Sequence, residues 1–217
     1  MSEFTARRVI MVDTQVRPSD VTKFPIIAAM LAVPREVYTP RDLREAAYVG
    51  QNVHIGAGRV MLEPRTLAKM LDALDILPTE TVLDIGCGLG YSTAIIARLA
   101  EAVVAVEDNE AMAGQAQRSL SAEGVDNAAV VVAALPAGDA KHGPYDAIMV
   151  QGGVEVVPAA LIDQLKDGGR IGAVFMEGAL GIARIGRKAN GHVTWRFAFN
   201  ATAPVLTGFG ATRAFVL

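Results

Sequence analysis

Cysteine, tryptophan and histidine are scarce in this chain, at one, one and three among 217 residues. A lone Cys87 excludes a disulfide framework, and no cluster of His, Cys, Asp and Glu has the spacing of a metal site. Long apolar runs are lacking too. Although 52% of the residues are apolar, none of the runs approaches the roughly 20 residues that span a bilayer. Arg7 and Arg8 are followed by only Val9 to Val12 before Asp13, too short for a signal-peptide core. The basic residues are scattered and the net charge is −3, so the footprint of a nucleic-acid binder is missing. Repeats and low-complexity linkers are also missing. These absences predict a cytoplasmic protein with no membrane and no nucleic-acid partner; its oligomeric state is not legible. The length suits one sizeable core. The expected organisation is one domain over 1–217, with 1–78 a helical cap and pocket loop and 79–217 the sheet core.

What is present is concentrated at Val82-Leu83-Asp84-Ile85-Gly86-Cys87-Gly88-Leu89-Gly90-Tyr91. A β-branched run feeding a glycine-dense turn lets the backbone approach a ligand closely. A helix start at Tyr91 or Ser92 adds unpaired N–H groups and a positive dipole end. Glu107 follows the next strand, placed to reach vicinal ribose hydroxyls, so the pattern predicts a nucleoside-containing cofactor. A dinucleotide fingerprint would set its third glycine at position 91, where Tyr91 stands. The pattern D-x-G-x-G-x-G resembles the first motif of class I S-adenosylmethionine-dependent methyltransferases. That resemblance implies S-adenosylmethionine as cofactor, with Asp84 near its methionine part and the turn of Gly86, Cys87, Gly88 and Gly90 beneath it. It also implies helix-start contacts from Tyr91 and Ser92, and the ribose held by Glu107. Cys87 reads as a small packing thiol, and Asp108 as the cap of the following helix.

Strand and helix patterns then alternate, as a parallel sheet with crossover helices requires. Strands are expected at 81–86, 102–106, 128–133, 145–150 and 170–176. Helices are expected at 92–99, 109–122 and 158–165, the last stopped by Asp167-Gly168-Gly169. Val193, Trp195, Phe197 and Phe199 alternate with polar or small residues as a half-buried strand, joined to 182–188 by an Asn190-Gly191 hairpin. The expected fold is α/β and Rossmann-like, as in class I methyltransferases. It has a mostly parallel central sheet, helices on both faces, antiparallel C-terminal strands and an N-terminal helical cap. That cap is expected to hold a proline-initiated helix from Pro25, a short helix from Arg41, a glycine-rich loop and an amphipathic helix over 66–76.

The wording of the cap is specific. Met11-Val12-Asp13-Thr14-Gln15-Val16-Arg17, Ala29-Met30-Leu31-Ala32-Val33-Pro34-Arg35-Glu36 and Ile55-Gly56-Ala57-Gly58 resemble protein-L-isoaspartate O-methyltransferases. Pro144 to Val150 and Leu165 to Arg170 extend the resemblance to about Gly172. It implies methylation of the α-carboxyl of isoaspartyl residues in damaged proteins, a repair reaction with a protein or peptide carboxylate as acceptor. The chain departs from that family where the acceptor should sit. A segment close to Q-T-I-S-x-P-H reads Arg59-Val60-Met61-Leu62-Glu63-Pro64-Arg65, so a hydroxyl becomes Leu62 and the terminal aromatic becomes Arg65. A G-D-G acid near the adenine gives way to Ala133-Ala134-Leu135-Pro136, leaving Ala134 and Leu135 as cofactor neighbours. Gln151-Gly152-Gly153 replaces a small threonine-alanine run. Arg65 either supplies the bond to the acceptor carboxylate that Leu62 cannot make or caps a helix turn beside Pro64. The alternatives in function are a diverged methyltransferase with another acceptor and a non-catalytic S-adenosylmethionine-binding protein. His54, His142 and His192 read as loop or surface residues. The tail around Val205 to Phe209 is apolar enough to cover the pocket or a partner.

Overall fold

A computed structural model describes residues 3–211. Its centre is a sheet of seven strands, built outward from β3 (Thr81–Ile85) and β4 (Ala102–Glu107). β5 (Ala128–Val132) pairs with β4, and β6 (Tyr145–Val154) pairs with β3 on the other side, all parallel. β7 (Leu165–Glu177) continues the parallel set, and β8 (Leu180–Ala189) and β9 (His192–Asn200) close it as an antiparallel meander. The spatial order is β5-β4-β3-β6-β7-β8-β9. Strand order therefore reverses between β3 and β6, whose carboxyl ends flank the crevice where such sheets bind ligands.

Alternation along the strands sends Val82, Ala147 and Met149 to one core layer and Leu83, Ile85, Ile148 and Val150 to the other. The first layer packs under α1 (Glu3–Met11), α2 (Phe24–Ala32), α3 (Pro64–Leu74), α4 (Tyr91–Ile96) and α5 (Glu110–Ala122). α3 is a clear case of amphipathic patterning, since Leu67, Met70, Leu71 and Leu74 fall on one face and are all buried. The second layer packs under α6 (Ala159–Asp163), Leu135 and the tail residues Leu206 and Phe209.

Several boundaries differ from the sequence reading. The expected glycine-rich loop is an antiparallel hairpin of β1 (Val53–Gly56) and β2 (Arg59–Met61), turned by Ala57 and Gly58 at positive φ. Asp167-Gly168-Gly169 lies within β7, where Gly168 at φ +83° accompanies a register slip between Tyr145 and Ala147; it bends a strand entry instead of stopping a helix. Asn109, not Asp108, caps α5, because its side chain accepts from the Met112 N–H at 3.1 Å. The alternation along β9 breaks at a bulge opposite Ala183 and Arg184, which leaves Phe197 62% exposed while Phe199 is buried. The Asn190-Gly191 hairpin forms as expected, with φ of +51° and +79°.

Candidate active site

β3 delivers the chain into a turn whose Gly86, Gly88 and Gly90 have φ of +78°, +57° and +98°. Side chains rarely tolerate such angles, and space forbids them as well. A Cβ on Gly88 would collide with Ile55 Cδ1, and one on Gly86 would stand 2.5 Å from Arg59 Nη2. The β1–β2 hairpin thus lies directly on the glycine turn.

Asp84, at the penultimate position of β3, is fully buried. Its Oδ2 accepts from Ser92 Oγ and Thr93 Oγ1, both at 2.7 Å, and its Oδ1 accepts from Gln151 Nε2 at 2.7 Å. Burial pushes its carboxyl above the usual range, and those three donors hold the rise in check. One carboxylate therefore ties together the ends of β3 and β6 and the start of α4. Cys87 is buried beside it, and burial pushes its thiol well up, which suits packing and not nucleophilic attack.

Glu107 ends β4 and is also fully buried. Its Oε2 accepts from the Gly88 N–H at 2.7 Å, and its Oε1 accepts from Arg59 Nη1 at 2.9 Å and the Asn109 N–H at 3.2 Å. Burial raises its pKa, opposed by the charge of Arg59. Arg59, 6% exposed, also donates through Nη2 to the Gly86 carbonyl at 2.6 Å and through Nη1 to Asp108 Oδ1 at 3.2 Å. Its fork spans the glycine turn from one side to the other.

A cavity of about 20 Å³ remains between the hairpin and the turn, room for about one water. Tyr38, Ile55, Val60, Met61 and Leu62 line it on the cap side, and Cys87, Tyr91, Ser92 and Gln151 on the sheet side. Leu62 is 3% exposed and its carbonyl accepts from Nη2 of the buried Arg35 at 2.7 Å. The tail closes the far edge. The Gly153 N–H donates to the Pro204 carbonyl, the Leu206 N–H donates to the Gly153 carbonyl, and a Cβ on Gly152 would meet Leu206 Cδ2 at 2.5 Å.

Of the residues singled out from the sequence, Asp84, Gly86, Cys87, Gly88, Gly90, Tyr91, Ser92, Glu107 and Leu62 converge here. Arg65 does not line the cavity. Its Nη1 donates to the Asn200 carbonyl at 3.3 Å, and its guanidinium lies 5.7 Å from the Phe199 ring centroid. Ala134 is exposed and Leu135 is sealed in the second core layer, so neither lines the cavity. His54, His142 and His192 are exposed. Sequence reasoning missed the roles of Arg59 and Gln151, which it saw only as departures from a pattern; a basic residue in a glycine-rich hairpin facing an expected ribose acid was the available signal.

The residues present fit a nucleoside cofactor. Glu107 offers a buried carboxylate next to the open sides of Gly86 and Gly88, where the nearest atoms are the far end of the Arg59 side chain and the Ile55 methyl. The mostly parallel sheet with its antiparallel ending has the class I methyltransferase fold. The profile of the family "Protein-L-isoaspartate(D-aspartate) O-methyltransferase (PCMT)" matches residues 10–201. A protein-L-isoaspartate O-methyltransferase of Syntrophus aciditrophicus is 38% identical over 171 residues, 79% of this chain and 78% of that one. Two solved structures share the fold. A protein-L-isoaspartate O-methyltransferase superposes with a TM-score of 0.80 at 22% identity, over 95% of this chain and 67% of that one. A putative one from Plasmodium falciparum, in complex with S-adenosyl-L-homocysteine, gives 0.78 at 18% identity, over 95% and 99%. The chain belongs to the protein-L-isoaspartate(D-aspartate) O-methyltransferase family.

Proposed function

We propose that this protein methylates the α-carboxyl of isoaspartyl residues in damaged proteins, using S-adenosylmethionine. The observation that carries the reading is a buried acid at Glu107 facing a glycine turn at positive φ, in a chain matched to this family over 10–201. S-adenosylmethionine, when bound, supplies an activated methyl group on a sulfonium leaving group. Glu107 is assigned to the ribose hydroxyls, and Gly86, Gly88 and Gly90 to the close approach of backbone. Asp84, held by Ser92, Thr93 and Gln151, is assigned to the methionine end.

No general base is required of the protein. A carboxyl group with a reference pKa near 4 is already ionised at neutral pH. What the site must do is hold the acceptor oxygen in line and exclude water. Val60, Met61 and Leu62 are buried and apolar, and they perform the exclusion.

The deciding experiment is a methyl-transfer assay on isoaspartyl and aspartyl versions of one peptide, with S-adenosylhomocysteine quantified. Turnover of the isoaspartyl peptide alone is expected. The apolar wall at Val60 and Leu62 favours a second reading, in which another carboxylate is the acceptor; cofactor binding with no turnover of either peptide would select it.

A further inference from the structure

We infer that Arg59 is an internal occupant of the ribose position, which the cofactor displaces in order to bind, and that its release lifts the β1–β2 hairpin that walls the acceptor cavity. The inference rests on the assignment of Glu107 to the ribose. Two of the hydrogen bonds that Glu107 accepts come from the fixed backbone N–H groups of Gly88 and Asn109. The third comes from a flexible side chain, Arg59 Nη1 at 2.9 Å. A ribose presents two hydroxyl donors to a carboxylate, and Arg59 Nη1 already donates to Oε1, one of the two oxygens they would reach. Arg59 is also anchored on the opposite side of the turn, at the Gly86 carbonyl 2.6 Å away, so its fork crosses the ground a bound nucleoside needs.

Sterics agree with the hydrogen bonds. The nearest atom to the open side of Gly86 is Arg59 Nη2, and the nearest to Gly88 is Ile55 Cδ1, from the two strands of one hairpin. The remaining space of about 20 Å³ admits a water and not a nucleoside. The hairpin is a separate two-stranded sheet, unpaired with the central seven strands among the described residues, so its movement breaks no hydrogen bond of that sheet. Val60, Met61 and Leu62 follow Arg59 directly and line the cavity. Displacing Arg59 therefore moves the acceptor wall, and the donor loads before the acceptor. Arginine at 59 stands where the resemblance to the family implies glutamine, a side chain without the charge that pairs with Glu107.

An occupant of this kind lowers apparent affinity by the fraction of molecules in which the site is clear. Calorimetry with S-adenosylhomocysteine on the wild type, Arg59→Gln, Glu107→Ala and the double variant tests it. Arg59→Gln should bind about fivefold or more tightly, and Glu107→Ala should cost a larger factor in the Arg59→Gln background than in the wild type, where removing the ribose acid also frees the occupant. If Arg59→Gln binds equally or more weakly, Arg59 is a structural or cofactor-binding residue and the inference falls. If Glu107→Ala changes affinity in neither background, the ribose assignment itself falls. Should Arg59→Gln fail to fold, phenylglyoxal labelling mapped by mass spectrometry on the wild type decides the matter. Arg59 should react only after S-adenosylhomocysteine is added, and equal labelling with and without it overturns the inference.

Discussion

Asp84 and Glu107 are both carboxylates without solvent contact, yet they are held differently. Asp84 is satisfied by three neutral donors, Glu107 by backbone and a cation. Because burial raises the Asp84 pKa, the folded protein binds more protons than the unfolded chain between the ordinary aspartate range and the raised value. Stability contributed by this group is therefore lost as pH rises through that window. Urea unfolding of the wild type and Asp84→Asn across the range from about pH 4 to 7 should show the wild type losing stability relative to the variant as pH rises; parallel profiles would refute it. Leu62 tests the acceptor side. Leu62→Ser should destabilise by about 2–5 kcal/mol, the scale of a buried leucine truncation, while raising turnover of an isoaspartyl peptide. A fall in turnover would show that the apolar wall is required. At this scale the acids were legible, because their chemistry is local to the motif. The Arg59–Glu107 pair was not, because it joins positions 48 apart in the chain, and nothing in either stretch names the other. Gln151 is the same case, lying 67 positions from Asp84.

Among the elements, α3 shows how position depends on side chains from elsewhere. Its C-terminus turns at Asp75 with φ +52°. Arg170 of β7 donates to the carbonyls of Leu74 and Asp75, both at 2.8 Å, and pairs with Glu80 at 2.5 and 2.8 Å. Arg170→Met keeps the stem but strands two helix-end carbonyls and a largely buried carboxylate. It should lower stability by about 2–4 kcal/mol, read as a shifted denaturant midpoint at constant slope. An effect under about 0.5 kcal/mol, the range of ordinary surface changes, would mean the cluster is solvated in solution. Strands and helices with strong periodicity were readable from the sequence, as were the Asn190-Gly191 turn and the antiparallel ending. Those that escaped share a cause. α1 was not anticipated because few of its residues are buried, and its position is fixed by Arg7 and Arg8 reaching Glu45, Tyr48 and Glu36. The β1–β2 hairpin was hidden because three glycine-like turn positions read as loop, and Phe197 because a bulge is invisible to a period-two count.

For the molecule as a whole, the cap and the tail clasp the sheet from opposite sides. Among the described residues no helix is long and apolar enough to cross a membrane. The tail is integral to the core, since Phe209 is fully buried and its carbonyl accepts from the Glu155 and Val156 N–H groups at 2.8 and 3.0 Å. Phe209→Ala should cost about 3–5 kcal/mol and lower the melting temperature, and saturating S-adenosylhomocysteine should recover part of that loss by mass action. An unchanged melting temperature would mean the tail is peripheral. The tail also imposes a schedule on manufacture. Asp84, the glycine turn and Glu107 leave the ribosome long before Leu206, which packs on Gly152 at the edge of the same pocket. A nascent chain that has reached β9 already carries every side chain assigned to the methyl donor, but not the segment that backs them. The segment that backs the methyl-donor residues is thus among the last of the described residues to be synthesised.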